Sequence, residues 1–259
     1  MKSRLILIFF AIQLCLTDSY SQQSARIATY NLLNYDSSVD TLRNTYFRTV
    51  VSGMNPDVLV VQEIIGNSSV NVFRRQVMNA ISYNYTSGVF IDGPDTDNAI
   101  FFDSTKFRFI SNTPIPTAYR NLSEFRLFHK PTGDSLRIFA CHLKADTGTL
   151  NQQRRAAQVD SLRKRTDALS AGTSFITCGD FNMYGANESA YIKLMQVNSS
   201  DGNFNDPFSM PGIWNNSAYS QYHTQSTRRR SFGGGATGGL DDRFDIILYS
   251  NSVKSSTGK

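Results

Sequence analysis

The strongest constraint on the fold is a set of short apolar runs that each end in a carboxylate or a carboxamide. Residues 58–61 are four consecutive branched apolar residues that lead to Glu63, and an apolar run at 174–178 leads to Asp180 and Asn182. Runs of this length are typical of strands that are buried on both faces. Polar side chains at the ends of several such strands predict a shared binding site.

Segments with helical spacing lie between the predicted strands. Apolar residues recur at intervals of three and four over residues 39–54 and 68–81, and a long polar helix is predicted over 149–169. The middle of the chain, residues 83–143, contains five strand-like segments and a hairpin turn signal at 131–134. We therefore predict one domain in which two packed sheets are flanked by helices.

The first residues are typical of a targeting segment. Lys2 and Arg4 precede an apolar run at 5–16, and small residues follow it. This pattern predicts a signal peptide over residues 1–21 and a secreted or periplasmic protein. The remaining residues, 22–259, have the length of one large domain.

Charge and cysteine content narrow the function classes. The formal net charge of +5, and the run of arginines at 228–230, favour a polyanionic partner or are ordinary surface charge. Cys141 and Cys178 both lie in apolar runs, where they are expected to be core residues, with a bridge between neighbouring strands as the alternative. No zinc-ligand spacing and no disulfide framework are present in the sequence.

The strand-end residues have chemistry in common. Asp180 and Asn182 are alternate residues and share a face, so one can orient a water while the other holds a phosphate oxygen. Glu63 and Asp245 border apolar runs, where a charge is costly unless it is paired or coordinated. For Asp245 the alternative is a simple ion pair with Arg243, and for Asp180 it is an Asx turn.

Oxygen donors of this kind suit a hard divalent cation. Asn31 follows the first predicted strand, and His142 ends another. Mg²⁺ is usually held by one or two carboxylates and by substrate phosphates, and Mn²⁺ or Ca²⁺ accepts the same donors. The set therefore predicts a metal-dependent enzyme that acts on phosphate esters.

Five segments, in this order and spacing, resemble the endonuclease/exonuclease/phosphatase superfamily, which includes deoxyribonuclease I. The resemblance extends over about residues 26–249, and it implies an α/β fold built as a four-layer sandwich, with two mixed β-sheets packed face to face and helices outside. The segments are Thr-Tyr-Asn-Leu-Leu-Asn (29–34), Pro-Asp-Val-Leu-Val-Val-Gln-Glu (56–63), Cys-His-Leu-Lys-Ala (141–145), Cys-Gly-Asp-Phe-Asn (178–182) and Asp-Arg-Phe-Asp-Ile-Ile-Leu (242–248).

The resemblance also implies roles for individual residues. Glu63 matches the main metal ligand. Asn31 stands beside it and contacts metal-bound water or phosphate, and Asp245 matches an acid that assists the metal or the catalytic histidine. The remaining matches are Asp180 as the residue that positions the attacking water, Asn182 and His142 as residues at the scissile phosphate, Asn31 as a further phosphate contact, and Arg126 as a phosphate-contacting arginine.

The sequence departs from the family pattern at its C-terminal end. The family closes with a Ser-Asp-His segment that carries a catalytic histidine, and these 259 residues contain no such segment. We expect that the sequence is a fragment, with a degenerate enzyme as the alternative. We also expect that this chain alone has low activity and low stability.

The function that these features favour is a secreted, Mg²⁺-dependent phosphodiester hydrolase, an endonuclease acting on extracellular DNA. The first alternative is a lipid-directed enzyme of the same superfamily, similar to sphingomyelinases or phosphoinositide phosphatases, for which membrane lipid is the substrate. The second is a non-catalytic binding protein on a decayed enzyme scaffold. A monomer is expected, and nothing in the sequence implies a protein partner.

Overall fold

The computed structural model describes residues 24–93 and 95–256, with side chains described up to residue 253. The signal peptide expected over residues 1–21 lies outside the described residues. Within the described ranges, none of the helices combines the length and the apolar character that crossing a membrane requires.

The first of two sheets contains four strands. They are β1 (Ile27–Tyr35), β2 (Val58–Ile64), β3 (Tyr85–Ser87) and β4 (Asp97–Asp103). Their spatial order is β1-β2-β4-β3, with β1 and β2 parallel and the other pairs antiparallel.

The second sheet contains six strands. They are β5 (Phe107–Ile115), β6 (Leu122–His129), β7 (Asp134–His142), β8 (Phe175–Asp180), β9 (Phe204–Asn205) and β10 (Asp245–Ser250). Their spatial order is β5-β6-β7-β8-β10-β9, and only the β7–β8 pair is parallel among these described strands.

Helices cover the outer face of each sheet. The α-helices are α1 (Asn44–Met54), α2 (Gly66–Phe73), which continues as a π-helical turn at Arg74–Met78, α3 (Thr149–Asp167), α4 (Ser189–Met195) and α5 (Asn251–Ser256). Short 3₁₀ segments occur at Thr41–Arg43 and Ser217–Tyr222.

Three apolar clusters hold these layers together. The inner cluster lies between the sheets and includes Val60 and Ile100 from the first sheet and Phe125, Ile138 and Ile176 from the second. A second cluster packs α1 and α2 on the first sheet, and a third packs α3 and α4 on the second. The molecule is therefore a helix–sheet–sheet–helix sandwich, and the predicted fold is confirmed.

Two element boundaries differ from the sequence prediction. The helix predicted over 39–54 begins only at Asn44, because the preceding residues form a turn on the surface, where Val39 is 75% and Leu42 is 88% exposed. Strand β1 continues past Tyr30 to Tyr35 across a change of register after Asn31. That irregularity is part of the site described below.

The two cysteines of the described chain are free and buried. Cys141 packs in the cluster under α3, whereas Cys178 packs in the cluster between the sheets. The two side chains therefore lie on opposite faces of the second sheet, which confirms both as core residues.

Candidate metal and phosphate site

The polar strand ends predicted from the sequence meet at one edge of the sandwich. Asn31, the last residue of β1 before its change of register, pairs with Gln62 in β2, and His142 at the end of β7 pairs with Asp180 at the end of β8. Asp245 begins β10 directly opposite Asp180. Because both parallel pairs end at the same edge, residues distant in the sequence become neighbours.

Asn31 connects the two sheets at this edge. Its Nδ2 donates hydrogen bonds to Glu63 Oε1 at 2.8 Å and to Asp180 Oδ2 at 3.0 Å. Its Oδ1 accepts from the Leu33 backbone N–H at 2.8 Å. Both hydrogens of the amide nitrogen are thus used, and its orientation fixes one carboxylate from each sheet at a short separation.

A left-handed backbone conformation turns Glu63 into this group. Gln62 lies between the sheets, where it accepts a hydrogen bond from Thr29, so in a regular strand Glu63 would point to the opposite, helix-covered face. The φ of Glu63 is instead +57°, at a change of register between β2 and β4. Bulges of this kind redirect side chains next to active sites.

Strained backbone is concentrated around Glu63. Six non-glycine residues have positive φ in the described chain, and four of them belong to this edge, namely Leu33 (+52°), Asn34 (+51°), Glu63 and Asn182 (+50°). Each such residue costs about 1–3 kcal/mol and persists only where the surrounding contacts enforce it. Here one of those contacts is the hydrogen bond from the Asn34 backbone N–H to Glu63 Oε2, at 2.9 Å.

His142 is buried beside Glu63 and Arg120. Its Nε2 lies 3.5 Å from Glu63 Oε1 and 3.3 Å from Arg120 Nη1. Burial, and then the charges of Arg120 and Lys144, lower the pKa of His142 to about 3, so the ring is neutral at pH 7. With Arg120 donating to Nε2, the ring proton belongs on Nδ1, which is buried and has no partner among the described residues.

Two carboxyl groups face each other across β8 and β10. Burial is the main cause that raises the pKa of Asp180 to about 6, against hydrogen bonds from Asn31 and Asn182 that lower it. Burial and the neighbouring charge of Asp180 raise the pKa of Asp245 well above its ordinary value. Asp245 Oδ1 is buried and has no hydrogen-bond partner in the described chain. This pair requires either a proton or a cation.

The donor atoms fit a divalent cation. Glu63, His142 and Asp180 each offer one ligand atom, and these three atoms lie within 4.8 Å of one another. Carboxylate oxygens at this spacing, with a further buried and unpartnered oxygen on Asp245, suit a hard cation. Asn31 stands beside the group, with its amide nitrogen toward the two carboxylates.

Asn182 supports the site through its backbone and its amide. Its N–H donates to Asp180 Oδ1 at 2.9 Å, and its Nδ2 donates to the carbonyl of Leu143 at 3.1 Å. Asn182 therefore orients Asp180 and holds the segment that follows His142.

The structure does not bring Arg126 to this group. Arg126 is in register with Arg137, which lies five residues before His142 in β7, or about 16 Å along the strand. The arginine at the site is Arg120, whose Nε also pairs with Asp95 at 2.7 Å. The turn at 131–134 could have predicted this arrangement, because it fixes the register of the β6–β7 hairpin. In that register, residues before Leu122, and not Arg126, lie beside His142.

The alternative ion pair of Asp245 is also absent. Arg243 pairs instead with Asp206, at 2.8 Å and 2.9 Å, and both side chains are buried. Asp245 therefore remains available to the site, with its backbone N–H bonded to Thr224 Oγ1 at 2.9 Å.

The family is decided by comparison with known sequences. The sequence profile of the Endonuclease/Exonuclease/phosphatase family matches residues 28–258, which is nearly the whole described chain. This chain belongs to that family. Its members hydrolyse phosphate esters as nucleases, phosphatases or phosphodiesterases. No curated protein matches the chain in sequence.

Solved structures share the fold of this family member. The Danio rerio TDP2 complexed with a single-strand DNA product is 19% identical, with 87% of this chain and 83% of that chain covered and a TM-score of 0.59. The human Nocturnin catalytic domain with a bound sulfate anion is 21% identical (81% and 75% covered, TM-score 0.56). A mannosyl-6-phosphatase of Bacteroides thetaiotaomicron is 20% identical (88% and 86% covered, TM-score 0.60).

Proposed function

We propose that the protein is a divalent-metal-dependent phosphodiester hydrolase, with Mg²⁺ as the ion and DNA as the substrate. The observation that carries the proposal is the convergence of Glu63, His142 and Asp180 within 4.8 Å at one edge of the sandwich. Family membership supports hydrolysis of a phosphate ester, and the single-strand DNA product named for the structurally similar TDP2 supports a nucleic-acid substrate. The predicted signal peptide supports an extracellular site of action.

Each residue has a defined task in this proposal. Glu63 and Asp180 would hold the ion, which when bound neutralises charge on the phosphate oxygens. Asp180, with its pKa near 6, is ionised at neutral pH and accepts a hydrogen bond from the attacking water, which it thereby orients. The Arg120 guanidinium, oriented by the hydrogen bond that it donates to Nε2 of the neutral His142 ring, donates to phosphate oxygens.

The proposal predicts metal binding that depends on Glu63. We expect Mn²⁺ or Mg²⁺ titrated into residues 22–259 to give one binding event by calorimetry, and Glu63→Gln to weaken it at least about tenfold because one anionic ligand is lost. Asp160→Asn is the matched control, since this carboxylate is exposed on α3. Binding that is unchanged in Glu63→Gln would remove Glu63 from the metal site.

Hydrolysis supplies the second readout. We expect cleavage of plasmid DNA and of bis(p-nitrophenyl) phosphate to stop on addition of EDTA and to fall about 10²–10³-fold in Glu63→Gln. Metal-dependent hydrolysis of p-nitrophenyl phosphate or sphingomyelin, without cleavage of DNA, would replace the nuclease by a phosphomonoesterase or a lipid-directed enzyme.

A further inference from the structure

A loop lies beside the candidate site, and none of its residues belongs to the group of side chains that could hold the ion. We call residues 226–239 the arginine loop. It contains the consecutive residues Arg228, Arg229 and Arg230, which are all exposed, followed by Phe232 and three glycines. Among the described residues, no carboxylate forms an ion pair with any of these three arginines, so their charges are available to an external partner.

The arginine loop is attached to the backbone that holds Glu63. The Asn34 side chain donates a hydrogen bond to the carbonyl of Gly233 at 3.2 Å, while the Asn34 backbone N–H donates to Glu63 Oε2 at 2.9 Å. Leu33 packs on the same glycines, and a Cβ on Gly235 would lie 2.8 Å from Leu33 Cδ1. The loop therefore lies directly against the irregular part of β1.

The base of the loop is attached to the opposite side of the site. Thr224, just before the loop, accepts the hydrogen bond from the Asp245 backbone N–H at 2.9 Å. Gln225 then closes the loop, because its Nε2 donates to the carbonyl of Thr237 at 2.7 Å. The arginine loop thus begins beside Asp245 and contacts the residue next to Glu63.

The side chains of the loop suit a strand of nucleic acid. Arg230 precedes Gly233 by three residues, so its backbone lies within about 10 Å of the Asn34 contact. Three adjacent guanidinium groups can neutralise phosphates that flank one bound in the site. The guanidinium carbon of Arg228 lies 4.0 Å from the centre of the Phe232 ring. The stacked pair provides a flat surface on which a base can stack.

We propose that the arginine loop binds the phosphates on one side of the scissile bond and so selects a polymeric nucleic-acid strand over a small phosphate ester. This inference rests on the proposed function of the neighbouring site. It assigns a second binding surface to residues that take no part in holding the ion.

Binding measured without turnover tests the loop separately from the chemistry. Fluorescence anisotropy of a labelled single-stranded 12-mer, in EDTA, gives a Kd at several salt concentrations. We expect Arg228→Gln/Arg229→Gln/Arg230→Gln to raise the Kd at least about tenfold at 0.1 M salt. The slope of log Kd against log salt should fall by roughly 2, which is three contacts at about 0.7 each.

A control with the same loss of charge separates a local from a general effect. Arg75→Gln/Arg108→Gln/Lys164→Gln removes three exposed charges from the π-helical turn after α2, from β5 and from α3. We expect the Kd of this variant to stay within about threefold of the wild-type value. Equal losses in both triple variants, or no loss in the loop variant, would overturn the inference. So would a loop variant that keeps oligonucleotide binding but loses binding to vesicles of 30% phosphatidylserine, because the loop would then be a lipid-binding element. Loss of metal binding or hydrolysis at the site leaves this binding result unaffected and counts against the proposed function alone.

Discussion

Like charges placed directly opposite each other on neighbouring strands destabilise a sheet, and Asp180 and Asp245 are such a pair. Asp180 is buried, and Asp245 is half-buried with one buried oxygen that has no partner in the described chain. A pair of this kind is expected at a functional site, where an external cation compensates the repulsion.

Asp245→Asn should reveal this cost in the metal-free protein. The raised pKa of Asp245 means that the native state holds a proton that the unfolded chain releases above about pH 4, so the wild-type free energy of unfolding falls as pH rises through that window. The amide has no such titration. We therefore expect the stability advantage of the variant to grow between pH 4 and pH 8, by more than about 1.4 kcal/mol, the equivalent of one pKa unit. Urea denaturation in EDTA measures the free energy of unfolding of both proteins at each pH. Parallel pH profiles of the two proteins would contradict this prediction.

Arg120 and Arg126 give a second contrast at the scale of single residues. Arg120→Gln removes a charged donor beside His142, and we expect hydrolysis of bis(p-nitrophenyl) phosphate to fall at least about tenfold. Arg126→Gln, about 16 Å away along the strand, should leave the rate within about twofold. A loss of activity confined to Arg126→Gln would restore the assignment made from the sequence.

At the scale of elements, the parallel pair β7–β8 sets the spacing between His142 and Asp180. Gly179 makes this possible, since a Cβ there would lie 2.0 Å from the Cys141 carbonyl oxygen, and its φ is +137°. The strand can therefore approach β7 only where a side chain is absent.

Gly179→Ala is expected to destabilise the protein by about 3 kcal/mol or more, because the added carbon collides with backbone that cannot move independently. Gly53→Ala is the matched control. Gly53 lies within α1 with no atom within 4 Å of the added carbon, so alanine should stabilise the protein by about 0.5–1 kcal/mol. Similar thermal unfolding of the two variants would show that the close approach is not required.

The buried strands could be predicted from the sequence more accurately than their irregular ends. Residues 58–61 and Asp180 could be assigned because apolar runs and the alternation of faces are local properties. The left-handed turn at Glu63 could not, because neither its residue type nor its neighbours in sequence demand a positive φ, and contacts with Asn31 and Asn34 enforce it. The predicted helix start at Val39 was wrong for a related reason. Apolar periodicity does not show whether the rest of the protein offers a surface on which those residues can pack.

At the scale of the whole molecule, the site joins the two sheets, which also meet through apolar packing and through hydrogen bonds from Asn98 in β4 to Ser123 and Ala140 of the second sheet. Asn31 and Glu63 belong to the first sheet, and His142 and Asp180 belong to the second. An ion held between them would therefore connect the two halves of the sandwich.

Metal binding should accordingly stabilise the entire fold. At a concentration 100 times the Kd, a bound ion adds about 2.7 kcal/mol to the free energy of unfolding. We expect a higher Tm with Mg²⁺ or Mn²⁺ and slower hydrogen exchange at the ends of β1, β2 and β8, as measured by mass spectrometry. Glu63→Gln should remove both effects, and a Tm shift that survives in this variant would locate the ion elsewhere.

The placement of Cys141 and Cys178 provides an internal probe of how the sandwich opens. Burial raises the pKa of Cys141 to about 12 and also raises that of Cys178, so neither forms a reactive thiolate in the folded state. Because one thiol lies beneath α3 and the other between the sheets, a thiol-specific reagent would distinguish detachment of the helical layer from separation of the two sheets. Labelling of Cys141 before Cys178 would mean that the outer layer is lost first, and equal rates would indicate that all four layers unfold together.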